Sequence, residues 1–314
     1  MSVRSKWQSL PTEAINPATL DIDQLDPADI VEVMLNEDRK MLSAVHREKE
    51  RIAVGVDILT QVLRKGGRII FVGAGTSGRL GVVEAAEMPP TFGTDEDLVL
   101  AIMAGGKEAV LQAREGVEDN YEEGARSVNR LRPKNRDVVV GVSASGMTPF
   151  VRGALTRARR AGSKIIFVTC DPRTELQTFV DLTIAPAVGP EVIAGSTRLK
   201  AGTATKIVLN MLTTGAMIRT GKTYGNLMVD VQMDSEKLRD RARRIISAVT
   251  GLEDEAADRL LKRAKGNVKA AIVMQKTGLP YARASARLRR AHDVIRDAIG
   301  DGSTPPRPAV PAEP

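Results

Sequence analysis

Four runs rich in Val and Ile are continuously apolar rather than alternating: RIIFVG (68–73), LVLAIMAGG (98–106), DVVVGVSASG (137–146) and KIIFVTCD (164–171). A fifth run, DLTIAP (181–186), follows. A strand with one wet face alternates in hydropathy, whereas a strand covered on both faces does not. Helix-patterned stretches separate most of the runs, so the chain predicts an α/β fold, a parallel five-stranded sheet flanked by helices. Ahead of the sheet, Asp26 and Pro27 suit a helix entry, Ile30 to Leu42 is amphipathic, and a longer helix is expected to run on to Arg64. A long apolar helix is expected from Ala201 to Ile218, then three or four short helices from Ser235 to Gly300. The organisation read from these signals is an N-terminal helical extension (1–49), an α/β domain (50–225), a C-terminal helical module (226–300) and a Pro-rich tail (301–314), expected to be disordered. There is no internal repeat.

Composition removes several function classes. With 42% hydrophobic and 27% charged residues the chain can bury a core without staples. Cys170 is the only cysteine, which excludes an intrachain disulfide and a thiolate metal cluster. The two histidines, His46 and His292, both sit in charged helical contexts. Chemistry is therefore expected from carboxylates, hydroxyls, Lys or Arg rather than from imidazole or a histidine-based metal site, and no metal is expected. The apolar runs are too short to cross a bilayer and the N-terminus lacks the apolar stretch of a secretion signal, so the expectation is a cytoplasmic protein with no membrane partner. The net charge of +7 belongs to segment 235–300, where basic residues outnumber acidic ones two to one. That segment holds one aromatic, Tyr281, and no base-reading motif, so a solvated basic module is expected rather than a nucleic-acid partner.

Two loops carry the functional signal. Gly73, Gly75 and Gly78 form G-x-G-x-x-G between a strand and a helix, with Thr76 and Ser77 inside it. A dinucleotide site also needs an acidic residue closing the second strand, but that strand ends IMAGG, which disfavours nicotinamide or flavin. The second loop, SASGMTP (143–149), offers the hydroxyls of Ser143, Ser145 and Thr148, with Gly146 letting backbone N–H groups approach an anion at a helix N-terminus. It suits one phosphate; the absence of a Walker lysine disfavours ATP. The competing reading is that these hydroxyls only cap a helix.

The pair of loops resembles the sugar isomerase (SIS) domain, a phosphosugar-binding α/β fold, over roughly residues 50–220. A third stretch, GPEVIAGSTRLKAGTATK (189–206), is similar to the signature shared by N-acetylmuramic acid 6-phosphate etherases and the glucokinase regulatory protein. Together with GAGTSGRLGVVEAAEMPP and EGVEDN (115–120) it points to the etherases. The resemblance implies a phosphosugar substrate, a homodimer, no cofactor, and cleavage of the D-lactyl ether of N-acetylmuramic acid 6-phosphate to N-acetylglucosamine 6-phosphate and D-lactate. By motif position it implies that Glu87, flanked by apolar neighbours, and Glu118 are the active-site carboxylates. Thr76, Ser77, Ser143, Ser145, Gly146, Thr148, Ser196 and Lys200 are the expected substrate-binding residues. Glu191 is open to a structural reading, bonding amides of its own loop. The runner-up is a non-catalytic phosphosugar-binding regulator; a third possibility is an aldose–ketose isomerase.

One distance is awkward. If Ser77 to Glu87 is a single helix, a rise of about 1.5 Å per residue puts Glu87 roughly 15 Å from the loop. Either the chain turns back at Pro89 and Pro90, or Glu87 reaches the site of a neighbouring subunit.

Overall fold

The computed structural model describes residues 10–230 and 236–301; the Pro-rich tail from Ser303 onward lies outside the described residues. They form two compact units, one built from the described residues up to Pro89 and from Thr94–Ala216, the other from Pro90–Gly93 and from Met217 onward.

The first unit opens with short 3₁₀ turns between Pro11 and Gln24, then α1 (Pro27–Arg47) and α2 (Lys49–Arg64). The Asp26 side chain accepts from the N–H groups of Ala28 and Asp29, capping α1 as its sequence predicts. Then come β1 (Ile69–Gly73), α3 (Gly75–Phe92), β2 (Val99–Met103), α4 (Glu108–Leu111), α5 (Tyr121–Arg130), β3 (Val138–Val142), α6 (Pro149–Arg160), β4 (Lys164–Val168), β5 (Leu182–Ile184) and α7 (Lys200–Arg219). All five expected strands are present in one parallel sheet of order β2-β1-β3-β4-β5. Ile69 pairs with Val99 on one side and Val138 on the other, which puts the carboxyl ends of β1 and β3 side by side.

The central strands β1, β3 and β4 read as continuous apolar runs because both faces are covered, whereas the edge strands β2 and β5 are only half-buried along much of their length. Ile70, Val72, Val139, Ile165 and Phe167 face α5 and α6 in a core with Val128, Phe150, Val151 and Leu155, all below 2% exposed. On the other face Gly81 of α3 sits against Phe71, and Gly55 of α2 against Leu212 of α7 and Ile184 of β5. Burying one such Ile or Phe contributes about 1.5–3 kcal/mol, so this sandwich fixes the loops at its rim.

The second unit contains a two-stranded antiparallel hairpin, β6 (Thr223–Tyr224) with β7 (Leu227–Met228), that the sequence reading did not include. Five helices follow among its described residues, where three or four are expected: α8 (Glu236–Thr250), α9 (Asp254–Arg263), α10 (Val268–Thr277), α11 (Tyr281–Arg290) and α12 (Ile295–Ile299). They enclose their own core, with the first seven residues of α10, Val268–Met274, buried in it. No described helix is long and apolar enough to cross a membrane.

Candidate functional site

A cavity of about 460 Å³ opens at the carboxyl ends of β1 and β3. In the order β2-β1-β3-β4-β5 the chain leaves β1 toward one edge and resumes at β3 on the other side, so this is the switch point where an open α/β sheet leaves a crevice. The cavity brings together Thr76, Ser77, Glu118, Ser143, Ser145 and Thr148, six of the ten residues expected from sequence.

Both hydroxyl loops are held tightly. Gly78 has no room for a side chain, since a Cβ would lie 2.8 Å from Gly73 O; α3 can therefore start hard against β1 and present Thr76 and Ser77 in its first turn. The second loop continues the β3–β4 ladder through Ser143 N–H to Val168 O (3.0 Å) and is braced by the Thr174 hydroxyl on Gly146 O (3.0 Å). Gly146 has φ +74° and is packed against Thr174 and Thr169, so only glycine fits without strain. The Ser143 hydroxyl lies 2.7 Å from that of Thr148 and 3.5 Å from that of Ser145. Thr148 occupies the N-cap position of α6, yet its side chain makes no capping hydrogen bond. The capping reading of this loop thus fails at Thr148. Its hydroxyl is directed into a cluster of three at a helix N-terminus, the arrangement that binds an oxyanion.

Glu118 is half-buried in a 3₁₀ turn, Val117–Asp119, that follows Gly116 at φ +76°. Glu115 and Asp119 line the cavity beside it. Thr197 of the signature stretch also lines the cavity, and further lining residues carried no sequence signal: Leu10 and Glu13 from the N-terminal turns, Arg79 from α3, and Arg114. The N-terminal turns form a wall because they are stitched to the loop after β5. Gly195 N–H donates to Thr12 O (3.1 Å), and the Thr19 hydroxyl donates to Val192 O (2.8 Å).

Glu87 is not part of the lining. It is exposed on α3, and the helix continues through Pro89 and Pro90 to Phe92, so the chain does not turn back there. One turn earlier, Glu84 is buried and accepts from Asn210 Nδ2 (2.8 Å) and from the Thr213 hydroxyl on α7. Burial pushes the Glu84 carboxyl up, the Thr213 bond and the Lys206 charge pull against it, and the nearby charge of Glu87 adds to the rise. That packing fixes the rotation of α3 and leaves Glu87 pointing outward.

Residues 51–159 match the model of the glucokinase regulatory protein N-terminal SIS domain. The chain is 44% identical over 291 residues to an N-acetylmuramic acid 6-phosphate etherase of Photorhabdus laumondii, covering 93% of this chain and 97% of that one. It is 51% identical to the protein of that name from Symbiobacterium thermophilum, covering 86% of this chain and 90% of the other. The chain belongs to the N-acetylmuramic acid 6-phosphate etherase family. Among solved structures, a phosphoheptose isomerase from Francisella tularensis superposes with a TM-score of 0.48 at 16% identity, over 62% of this chain and 100% of that one.

In this etherase-family chain the signature stretch 189–206 acts mainly as a brace. Glu191 is fully buried and its two carboxylate oxygens accept from the N–H groups of Lys200 (3.0 Å) and Ala201 (2.9 Å), capping α7 from its own loop. Lys200, expected to meet substrate, is instead sealed inside, with its ammonium 2.5 Å from Glu37 Oε2 and outside the cavity lining. Ser196 is half-buried and also absent from the lining, which takes Gly195 and Thr197 from this segment. Gly146 is buried within the second hydroxyl loop and absent from the lining, its N–H spent on Ser143 O and its carbonyl on Thr174.

Proposed function

We propose that this chain cleaves the D-lactyl ether of N-acetylmuramic acid 6-phosphate, giving N-acetylglucosamine 6-phosphate and D-lactate. The observation that carries the proposal is the meeting of an oxyanion loop (Ser143, Ser145, Thr148) with a carboxylate (Glu118) in one cavity, in a chain whose relatives carry the etherase name over most of its length. The match to those relatives extends well beyond the phosphosugar domain, which supports an enzyme rather than a sensor.

A simple ether resists hydrolysis because alkoxide is a poor leaving group. In the open-chain sugar C1 is an aldehyde and acidifies the C2 proton. A carboxylate removes that proton, the C3–O bond breaks, and lactate departs with its ether oxygen, which takes up a proton. Water then adds at C3 and C2 is reprotonated. The residues needed are one base, one acid and a clamp for the phosphate. In this proposal Ser143, Ser145 and Thr148 hold the phosphate, Thr76 and Ser77 bond the sugar at the end of β1, and Glu118 is one of the two proton-transfer groups. Glu87 is the other. Because it points away from the cavity of its own chain, we assign it to the cavity of a second copy, in a homodimer whose two-fold symmetry lends each Glu87 to the opposite site.

Incubation with N-acetylmuramic acid 6-phosphate and an enzymatic assay for free D-lactate tests the function. The expected result is stoichiometric D-lactate and N-acetylglucosamine 6-phosphate; intact substrate after prolonged incubation would contradict it.

A further inference from the structure

The proposed substrate carries two anionic groups, and the cavity treats anions in two ways. The phosphate-type loop binds by hydroxyls and a helix N-terminus, with no cation in it. The remaining lining is dominated by carboxylates, Glu13, Glu115, Glu118 and Asp119, against two guanidiniums, Arg79 and Arg114. A ligand with a second negative charge needs a cation to enter such a wall, since an unpaired carboxylate beside like charges is strongly disfavoured. The Arg114 charge is already taken up by its ion pair with Glu108.

Arg79 differs. Its Nε donates to Val110 O (2.9 Å) and its Nη2 to Ala109 O (2.7 Å), two backbone carbonyls of α4. No carboxylate among the described residues lies within ion-pair distance of it. A guanidinium has five N–H donors in one plane. Two of them lock the group onto backbone and fix its orientation, and the others remain for a partner. Arg79 lies early in α3, just after Thr76 and Ser77, and lines the cavity outside the Ser143–Thr148 loop.

We infer that Arg79 is the specificity residue for the leaving group: its unspent N–H donors receive the lactyl carboxylate, while the Ser143–Thr148 loop takes the phosphate. The inference rests on the etherase reading for the identity of the second anion. A planar fork held rigidly by two backbone carbonyls is pre-organised for a carboxylate, so little side-chain entropy is lost on binding. Arg79 thereby distinguishes a lactyl-bearing sugar phosphate from the same sugar phosphate without it.

The test uses two ligands that cannot turn over because C1 is reduced to an alcohol: N-acetylmuramitol 6-phosphate and N-acetylglucosaminitol 6-phosphate. Calorimetric binding to the full chain should show the muramitol bound more tightly. In Arg79→Gln the muramitol affinity should fall about ten- to hundredfold, the range for a charge-assisted hydrogen bond, with glucosaminitol affinity unchanged within about twofold. Arg79→Lys, which keeps charge but loses the fork, should fall between. Equal loss for both ligands would mean that Arg79 only holds α4 in place, and would overturn the inference. So would equal affinities in the wild type. Should Arg79→Gln fail to fold, wild type and Arg79→Lys still decide the matter. Failure of the etherase reading shows separately, as absence of D-lactate from the unreduced sugar with binding selectivity intact.

Discussion

The Lys200 ammonium lies 2.5 Å from Glu37 Oε2, with the two side chains 2% and 4% exposed, joining the start of α7 to the middle of α1. Breaking one side of a buried ion pair leaves the other charge stranded, which typically costs about 3–5 kcal/mol. Lys200→Met should fall at the lower end, because Lys40 also bonds Glu37 (2.5 Å). The double variant Glu37→Met/Lys200→Met should cost less than Lys200→Met alone, since it strands no charge. Urea midpoints of the three proteins check this ordering; a costlier double variant would show that the pair itself stabilises the fold.

Acid should expose the same pair. Burial pushes the Glu37 carboxyl up, but the hydrogen bonds and charges of Lys200 and Lys40 outweigh it and hold the value at about 2, below the ordinary 4.5. The folded value is lower than the unfolded one, so the stabilisation is fully present above pH 4.5 and is lost as pH falls toward 2. Its size is about 3 kcal/mol. Glu37→Gln should therefore show a shallower loss of stability over that window than wild type, measured by urea unfolding at a series of pH values. Parallel acid limbs would remove Glu37 from the account.

Thr148→Ala separates binding from folding. Because the Thr148 hydroxyl does not cap α6, its loss should cost no more stability than its one bond to Ser143, about 1 kcal/mol. Removing a hydrogen bond to a charged phosphate costs about 1.5–3 kcal/mol, so KM should rise about ten- to hundredfold with kcat much less affected. A larger stability loss with normal KM would restore the capping role.

Much of this site is legible in the sequence, for identifiable reasons. Strands covered on both faces announce themselves as unbroken apolar runs, and loops that follow such strands must lie at one edge of the sheet; hence Thr76, Ser77, Ser143, Ser145 and Thr148 are expected together and line one cavity. The order of the strands is not legible, because apolar runs carry no pairing information. Lys200 beside Ser196 and Thr197 reads as a ligand only while its burial is unknown. Leu10, Glu13 and Arg79 reach the cavity through packing of distant segments, and no local pattern marks them. The β6–β7 hairpin did carry a signal, the Gly225–Asn226 turn with Gly225 at φ +58°, but its strands are only two residues each.

Glu118→Gln should lower kcat by about a hundredfold or more while binding of N-acetylglucosaminitol 6-phosphate is kept, since general acid–base groups contribute about 10²–10⁴-fold. Loss of binding with little change in kcat would make Glu118 a substrate ligand instead.

Glu87→Ala and the triple variant Ser143→Ala/Ser145→Ala/Thr148→Ala should each be inactive at low substrate. Mixed with subunit exchange, they should recover activity, because each mixed dimer then contains one site with intact loop and intact carboxylate. Random assortment gives about a quarter of wild-type activity. Persistent inactivity, with exchange verified by mass, would return Glu87 to its own chain.

The most direct test of the central claim is to run the reaction on N-acetylmuramic acid 6-phosphate in heavy-oxygen water and locate the label by mass spectrometry. Elimination followed by water addition breaks the bond between C3 and the ether oxygen, so the label should appear at C3 of N-acetylglucosamine 6-phosphate and be absent from D-lactate. Label in the lactate would mean displacement at the lactyl carbon, and would contradict the mechanism built on Glu118 and Glu87.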